Sequence, residues 1–256
     1  MRLDRYDAAL DEADFDGIDL DATNELRRMF VASRSMSKTL ANRSICAIWL
    51  RPLQLETTGL QPFRDIARTS GAERLPLVVV DVPAAVESDD ALAIQLAAAV
   101  RLRAVTGPDA RIALAIHADN REGSRDHLDR LTMVRHQVGE WDFQLALDLT
   151  TRTDGTWEAE AAMMRILPRL GIIRLTVPRT LLSGGIRWRI ASRVVAAAAD
   201  GGYRGMLSVA PELSLWEKIS VNALADRSAM FATNLERRAV RVRGDRLRHP
   251  GRRTFR

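Results

Sequence analysis

The sequence predicts a (β/α)8 TIM barrel that lacks its first strand. Three observations lead there. Short β-branched runs recur with starts 29 to 35 residues apart, a helix-length segment follows most of them, and no glycine-rich phosphate turn follows an early run. The runs are Phe15–Asp21, Ile45–Leu50, Pro76–Val82, Arg111–His117, Phe143–Thr150, Ile172–Val177 and Gly205–Ala210. Near-continuous apolarity in Leu77–Val80 and Ile112–Ile116 suits parallel strands covered on both faces.

Between the runs, apolar residues return at helical spacing in Asn24–Asn42, Asp90–Val105, Arg125–Gly139, Thr156–Leu170, Gly185–Ala199 and Ser214–Asn234. In the second of these, Leu92, Leu96, Val100 and Ala104 make the predicted inward stripe. Ser88-Asp89-Asp90 is a start signal, and Gly107-Pro108 and Gly201-Gly202 are stop signals. Seven βα units are visible where a barrel has eight. Tyr6–Ala13 reads as the first helix, so the missing strand is expected before Met1. Without it the barrel carries an open seam with two exposed strand edges.

The chain has 256 residues and 46% hydrophobic content, enough for a large core. Its longest apolar stretches, such as Ala97–Val100, fall far short of the roughly 20 residues needed to span a bilayer, and no signal-peptide pattern opens it. A cytoplasmic location is the expectation. Cys46 is the lone cysteine, in an apolar run, which predicts a buried inert thiol and excludes a disulfide framework. The formal net charge of +5 is a local property: residues 237–256 hold nine Arg and one Asp, leaving 29 basic and 32 acidic residues elsewhere. The expected organisation is a barrel over 1–236 and an Arg-rich, disordered tail over 237–256, able to touch nucleic acid only weakly.

Two segments carry a family resemblance. Ala8 to Leu20 reads as a helix passing into an acidic strand end, and Gly184-Gly185-Ile186-Arg187-Trp188 is followed by Gly202-Tyr203-Arg204-Gly205-Met206-Leu207-Ser208-Val209-Ala210-Pro211-Glu212. Both resemble the xylose isomerase-like TIM barrel family of sugar phosphate isomerases and epimerases. The resemblance implies a divalent metal held at the barrel mouth by Glu, Asp, His and Glu on four successive strands. Carried over one position at a time, those ligands fall at Ala115, Asp148, Arg174 or its neighbour Leu175, and Ala210. Asp148 is the only match, and a family His three residues after it is Thr151. One carboxylate does not offset the dehydration of Mg²⁺ or Mn²⁺, so no metal cofactor is expected.

Polar residues at strand C-termini remain as site candidates. Asp148 and His117 are the catalytic candidates, and Asp19, Arg51, His117, Asp148, Arg174 and Arg179 the ligand-binding ones. Asp148 lies on an apolar strand, and Arg174 on the next strand is its natural partner. Lys38 and Lys218 lie on predicted helices, which excludes a Schiff-base lysine inside the barrel. Three readings stand: a barrel that binds a small sugar-like or phosphorylated ligand without metal-dependent catalysis, a metal-free isomerase, epimerase or lyase, and a partner-binding scaffold.

Overall fold

The computed structural model describes residues 17–21, 44–52, 76–82, 88–117, 125–149, 156–177, 186–211 and 221–248. The strands are β1 (Gly17–Asp21), β2 (Ser44–Leu50), β3 (Leu77–Val80), β4 (Ile112–His117), β5 (Gln144–Leu149), β6 (Leu170–Val177) and β7 (Met206–Pro211). The helices are α1 (Ser88–Thr106), α2 (Arg125–Glu140), α3 (Thr156–Ile166), α4 (Ile186–Asp200) and α5 (Val221–Arg248). Each strand pairs in parallel with the next, in the order β1 to β7. This is the arrangement of a TIM barrel with seven strands among the described residues. At its seam Asp19 on β1 is hydrogen-bonded to Ser208 on β7, so the sheet curls until its two edges face each other. The predicted helices Tyr6–Ala13 and Asn24–Asn42 lie outside the described residues.

The period of two along each strand divides the core. Ile48, Leu50, Val78, Val80, Ile112, Leu114, Leu145, Leu147, Ile173 and Leu175 face outward and pack with helix residues such as Leu102, Val138, Ile166, Val194 and Phe231. The alternate positions Ala47, Trp49, Leu77, Val79, Ala113, Ala115, Ala146 and Ile172 face the barrel interior. Four of those eight are alanines, and the fully buried Trp49 indole takes up the space they leave.

Three helices differ from their predicted form. In α1 the buried positions are Gln95, Ala98, Ala99 and Leu102, while Leu92, Leu96 and Val100 are half-buried and Ala104 is exposed. An alanine-rich helix carries little information about which face turns inward, and small side chains let it approach the sheet closely. The segment after α3 leaves the α-helix at a 3₁₀ turn, Leu167–Arg169, because Pro168 lacks the N–H needed to continue. β6 therefore starts at Leu170, ahead of the predicted Ile172.

The third difference corrects the predicted tail. Helix α5 runs through Arg248, so residues 237–248 belong to an ordered helix and the boundary at 236 does not mark a disordered segment. Phe231, Leu235 and Ala239 continue one buried stripe at helical spacing, and Arg243 pairs with Asp200 at the end of α4. Counting charge alone hid this stripe. Residues 249–256 lie outside the described set.

Candidate functional site at the barrel mouth

Strand register places the polar residues in one row. His117 on β4 pairs with Asp148 on β5, Asp148 with Arg174 on β6, and Arg174 with Ser208 on β7. Ser208 then meets Asp19 across the seam. From the other side, Asp81, just past β3, contacts His117 at 2.7 Å between Oδ1 and Nε2. The row below consists of Ala115, Ala146, Ile172 and Met206. A ring of polar side chains thus sits on an apolar floor.

The ring is largely enclosed. Asp148 is buried, and the His117 and Asp81 side chains keep only 15% and 12% of their surface exposed. The second imidazole nitrogen, Nδ1, lies 3.6 Å from Asp148 Oδ2, too long for a hydrogen bond but close enough for strong charge interaction. Burial by itself would lower the His117 pKa. The hydrogen bond and charge of Asp81, the charge of Asp148 and the Val82 backbone outweigh it and hold the pKa above the usual 6.5. This imidazole therefore holds a proton more tightly than a free one.

On the other side of the mouth the Arg174 guanidinium lies over the Trp49 ring, 4.6 Å from its centroid. The Trp49 indole N–H points at Asp19 Oδ2 from 3.5 Å, a weak contact. Burial pushes the Asp19 pKa up, and the hydrogen bonds from Ser208 and Trp49, the Arg174 charge and the Ala47 backbone only partly offset it.

One helix side chain sets the gap between β3 and β4. The regular β3–β4 pairing ends at Val80 and Leu114. Immediately beyond, the buried Gln95 amide of α1 donates to Val80 O at 3.2 Å and to Ala115 O at 2.9 Å. It ties the two strand ends together where Asp81 and His117 emerge.

Of the sequence candidates, Asp19, His117, Asp148 and Arg174 come together in the ring. Arg51 is half-buried just past the end of β2, and Arg179 lies outside the described residues. Asp81 is among the polar residues that the sequence places at strand C-termini but not in the narrower catalytic and ligand-binding set, and Trp49, Ser208 and Gln95 are in neither. Asp81 shared the signal that marked His117, a polar residue at a strand C-terminus. Gln95 carried no such signal, since one polar residue on an alanine-rich helix does not reveal which way it faces. Cys46 is half-buried on β2 rather than fully buried.

At the four positions where the resemblance implies metal ligands, Ala115 faces the floor, Asp148 and Arg174 share the ring, and Ala210 pairs with Thr176 one position further out. Among the described residues no group of three or more His, Cys, Asp or Glu is placed to hold a metal ion. None of the helices among them is long and apolar enough to cross a membrane.

No protein-family model matches the sequence, and no curated protein matches it. The fold, in contrast, matches solved sugar-converting barrels. D-psicose 3-epimerase from Clostridium cellulolyticum H10, in a structure with D-tagatose, superposes with a TM-score of 0.58 at 13% identity, over 97% of this chain and 93% of that one. D-allulose 3-epimerase from a Methylomonas species, in complex with D-allulose, gives 0.61 at 15% identity over 93% and 91%. A fusion of a xylose isomerase-like TIM barrel with 4-hydroxyphenylpyruvate dioxygenase gives 0.62 at 16% identity, over 99% of this chain and 43% of that one. The likeness is one of fold: the chain has the TIM-barrel fold of these solved structures.

Proposed function

We propose that this protein is a sugar isomerase/epimerase-like barrel that binds a small sugar-like ligand at its mouth and lacks the metal-dependent reaction that the family resemblance implies. The carrying observation is the occupancy of the four ligand positions by Ala115, Asp148, Arg174 or its neighbour Leu175, and Ala210. Two methyl groups offer no lone pairs. A fixed guanidinium repels a divalent cation, and the one carboxylate left does not compensate for the ion's dehydration. The residues present do not fit the metal. A ligand would meet the outer atoms of Asp81, His117 and Arg174, with Asp148 and Asp19 acting from beneath, and its hydroxyl groups would exchange hydrogen bonds with carboxylate and imidazole. D-tagatose and D-allulose, present in the neighbours' structures, are the first ligands to try. A cytoplasmic location accompanies this reading.

The test is metal content with thermal melting of the purified chain in Mg²⁺, Mn²⁺, Zn²⁺ and EDTA, then with each sugar. We expect no stoichiometric metal, no EDTA effect, and a melting temperature raised by millimolar sugar through mass action. Stoichiometric metal with an EDTA-sensitive melt would restore the metal-dependent reading.

The 2.7 Å contact of Asp81 with His117 favours a second reading, metal-free proton transfer. Asp81 would orient the imidazole and stabilise its cation while His117 moves a proton of the bound sugar. EDTA-resistant turnover that disappears in His117→Gln would establish it. Turnover that survives His117→Gln would remove it.

A further inference from the structure

We propose that the outward face of α5 near its C-terminal end binds the phosphate backbone of duplex nucleic acid. The observations are independent of the barrel mouth. From Arg237 to Arg248 the helix carries six arginines against the single Asp245. Leu235 and Ala239 fix its inner side against the barrel, and Arg243 is pinned to Asp200. Arg237 and Arg241 are exposed one turn apart, roughly opposite that buried stripe. Packing thus fixes the two arginine positions about 6 Å apart along the helix axis, whereas a disordered tail would spread them.

The chemistry selects among polyanions. Stable attachment to a membrane surface draws on an apolar stripe for insertion as well as on charge, and the stripe Phe231, Leu235 and Ala239 is buried in the fold. Base stacking has no platform, since Phe255 is the only aromatic residue from 237 onward. Backbone phosphates need neither, only cations whose fork accepts two oxygens. Outside 237–256 the chain holds 29 basic and 32 acidic residues, so a polyanion finds little attraction elsewhere. Binding is expected to be independent of base sequence and steeply salt-dependent.

The experiment is fluorescence anisotropy of a labelled random-sequence DNA duplex of about 25 base pairs, titrated with the full chain across a salt series. The comparison is the double variant Arg237→Gln/Arg241→Gln. Both sites are exposed and Gln is a good helix former, so its melting temperature should match that of the parent. We expect micromolar binding at low salt, at least about 5-fold weaker in the double variant. The slope of log K against log salt should fall by about 1.8 on losing two phosphate contacts. No duplex binding by the parent, or an unchanged slope in the variant, would overturn the proposal. Equal binding to polyglutamate, or binding to anionic vesicles in place of the duplex, would overturn the assignment to nucleic acid.

Discussion

Two sides of the barrel mouth show the same direction of pKa shift for opposite reasons. At His117 the neighbours prevail over burial: Asp81 and Asp148 flank the imidazole and favour its charged form. At Asp19 burial prevails over the neighbours: Ser208, Trp49 and Arg174 support the carboxylate, yet it is pushed toward neutrality. His117 is thus a complemented charge and Asp19 an under-complemented one. Both groups hold a proton more tightly in the fold than in the unfolded chain, so both favour folding at lower pH. Their windows differ. The His117 contribution is complete below about pH 6.5 and fades as pH rises through its raised folded value. The Asp19 contribution is complete below about pH 3.8 and fades through its own raised value, leaving a cost at neutral pH.

The largest effect should come from removing the partner that makes His117 favourable. Asp81→Ala leaves a mostly enclosed imidazole without its 2.7 Å contact. The expected loss is about 3 kcal/mol at pH 5 to 6, a fall of roughly 6–12 °C in melting temperature. The loss should shrink as pH rises, and histidine titration by NMR should show the His117 pKa lowered. A loss that grew with pH would mean that Asp81 stabilises the fold through something other than the imidazolium.

Next comes the support behind that pair. Gln95→Leu keeps the volume of the side chain but leaves the carbonyls of Val80 and Ala115 without its amide. The expected cost is about 1–3 kcal/mol, read from denaturant melts, together with a shift in the His117 titration as β3 and β4 separate. Destabilisation with an unmoved His117 titration would confine Gln95 to packing.

How much of this was legible in the sequence depends on the strength of each local pattern. The strands were readable because buried parallel strands such as Leu77–Val80 have nearly no polar interruption, and β3 to β7 fall within a few residues of their predicted runs. Asp148 and Arg174 were readable as strand neighbours because their runs were consecutive, and the register places them opposite each other. The inward face of α1 was not, since alanine is tolerated on either side of a helix. Nor was the reach of α5, where Leu235 and Ala239 are two buried residues among arginines. The Asp19 to Ser208 contact joins residues far apart in sequence, across a seam that no local pattern encodes.

A double-mutant cycle can place Arg174 on one side of the comparison or the other. It faces Asp148 in register, stacks on Trp49 and acts on Asp19 through its charge. If it serves chiefly Asp148, then Asp148→Asn and Arg174→Met should be non-additive by about 1–2 kcal/mol, with much of the single-mutant loss recovered in the double. Additive losses would assign Arg174 to the Trp49 and Asp19 side instead. That outcome would also make Asp19 harder to stabilise by any neighbour still unused.

The smallest effect is also the most discriminating, because its expected sign is positive. Asp19→Asn keeps the size of the side chain and an oxygen for the Ser208 and Trp49 contacts, and removes the charge that burial penalises. At pH 7 the variant should melt a degree or two higher than the parent, or level with it, and the gain should fade as pH falls through the raised Asp19 value and the parent takes up its own proton. The Arg174 charge is one of the influences that hold the carboxylate ionised and so work against this gain, and the same substitution in an Arg174→Met background should stabilise more. If Asp19→Asn instead costs stability at pH 7, the attraction between Asp19 and Arg174 exceeds the burial penalty. The two sides of the mouth would then be alike, each a buried charge held by its complement.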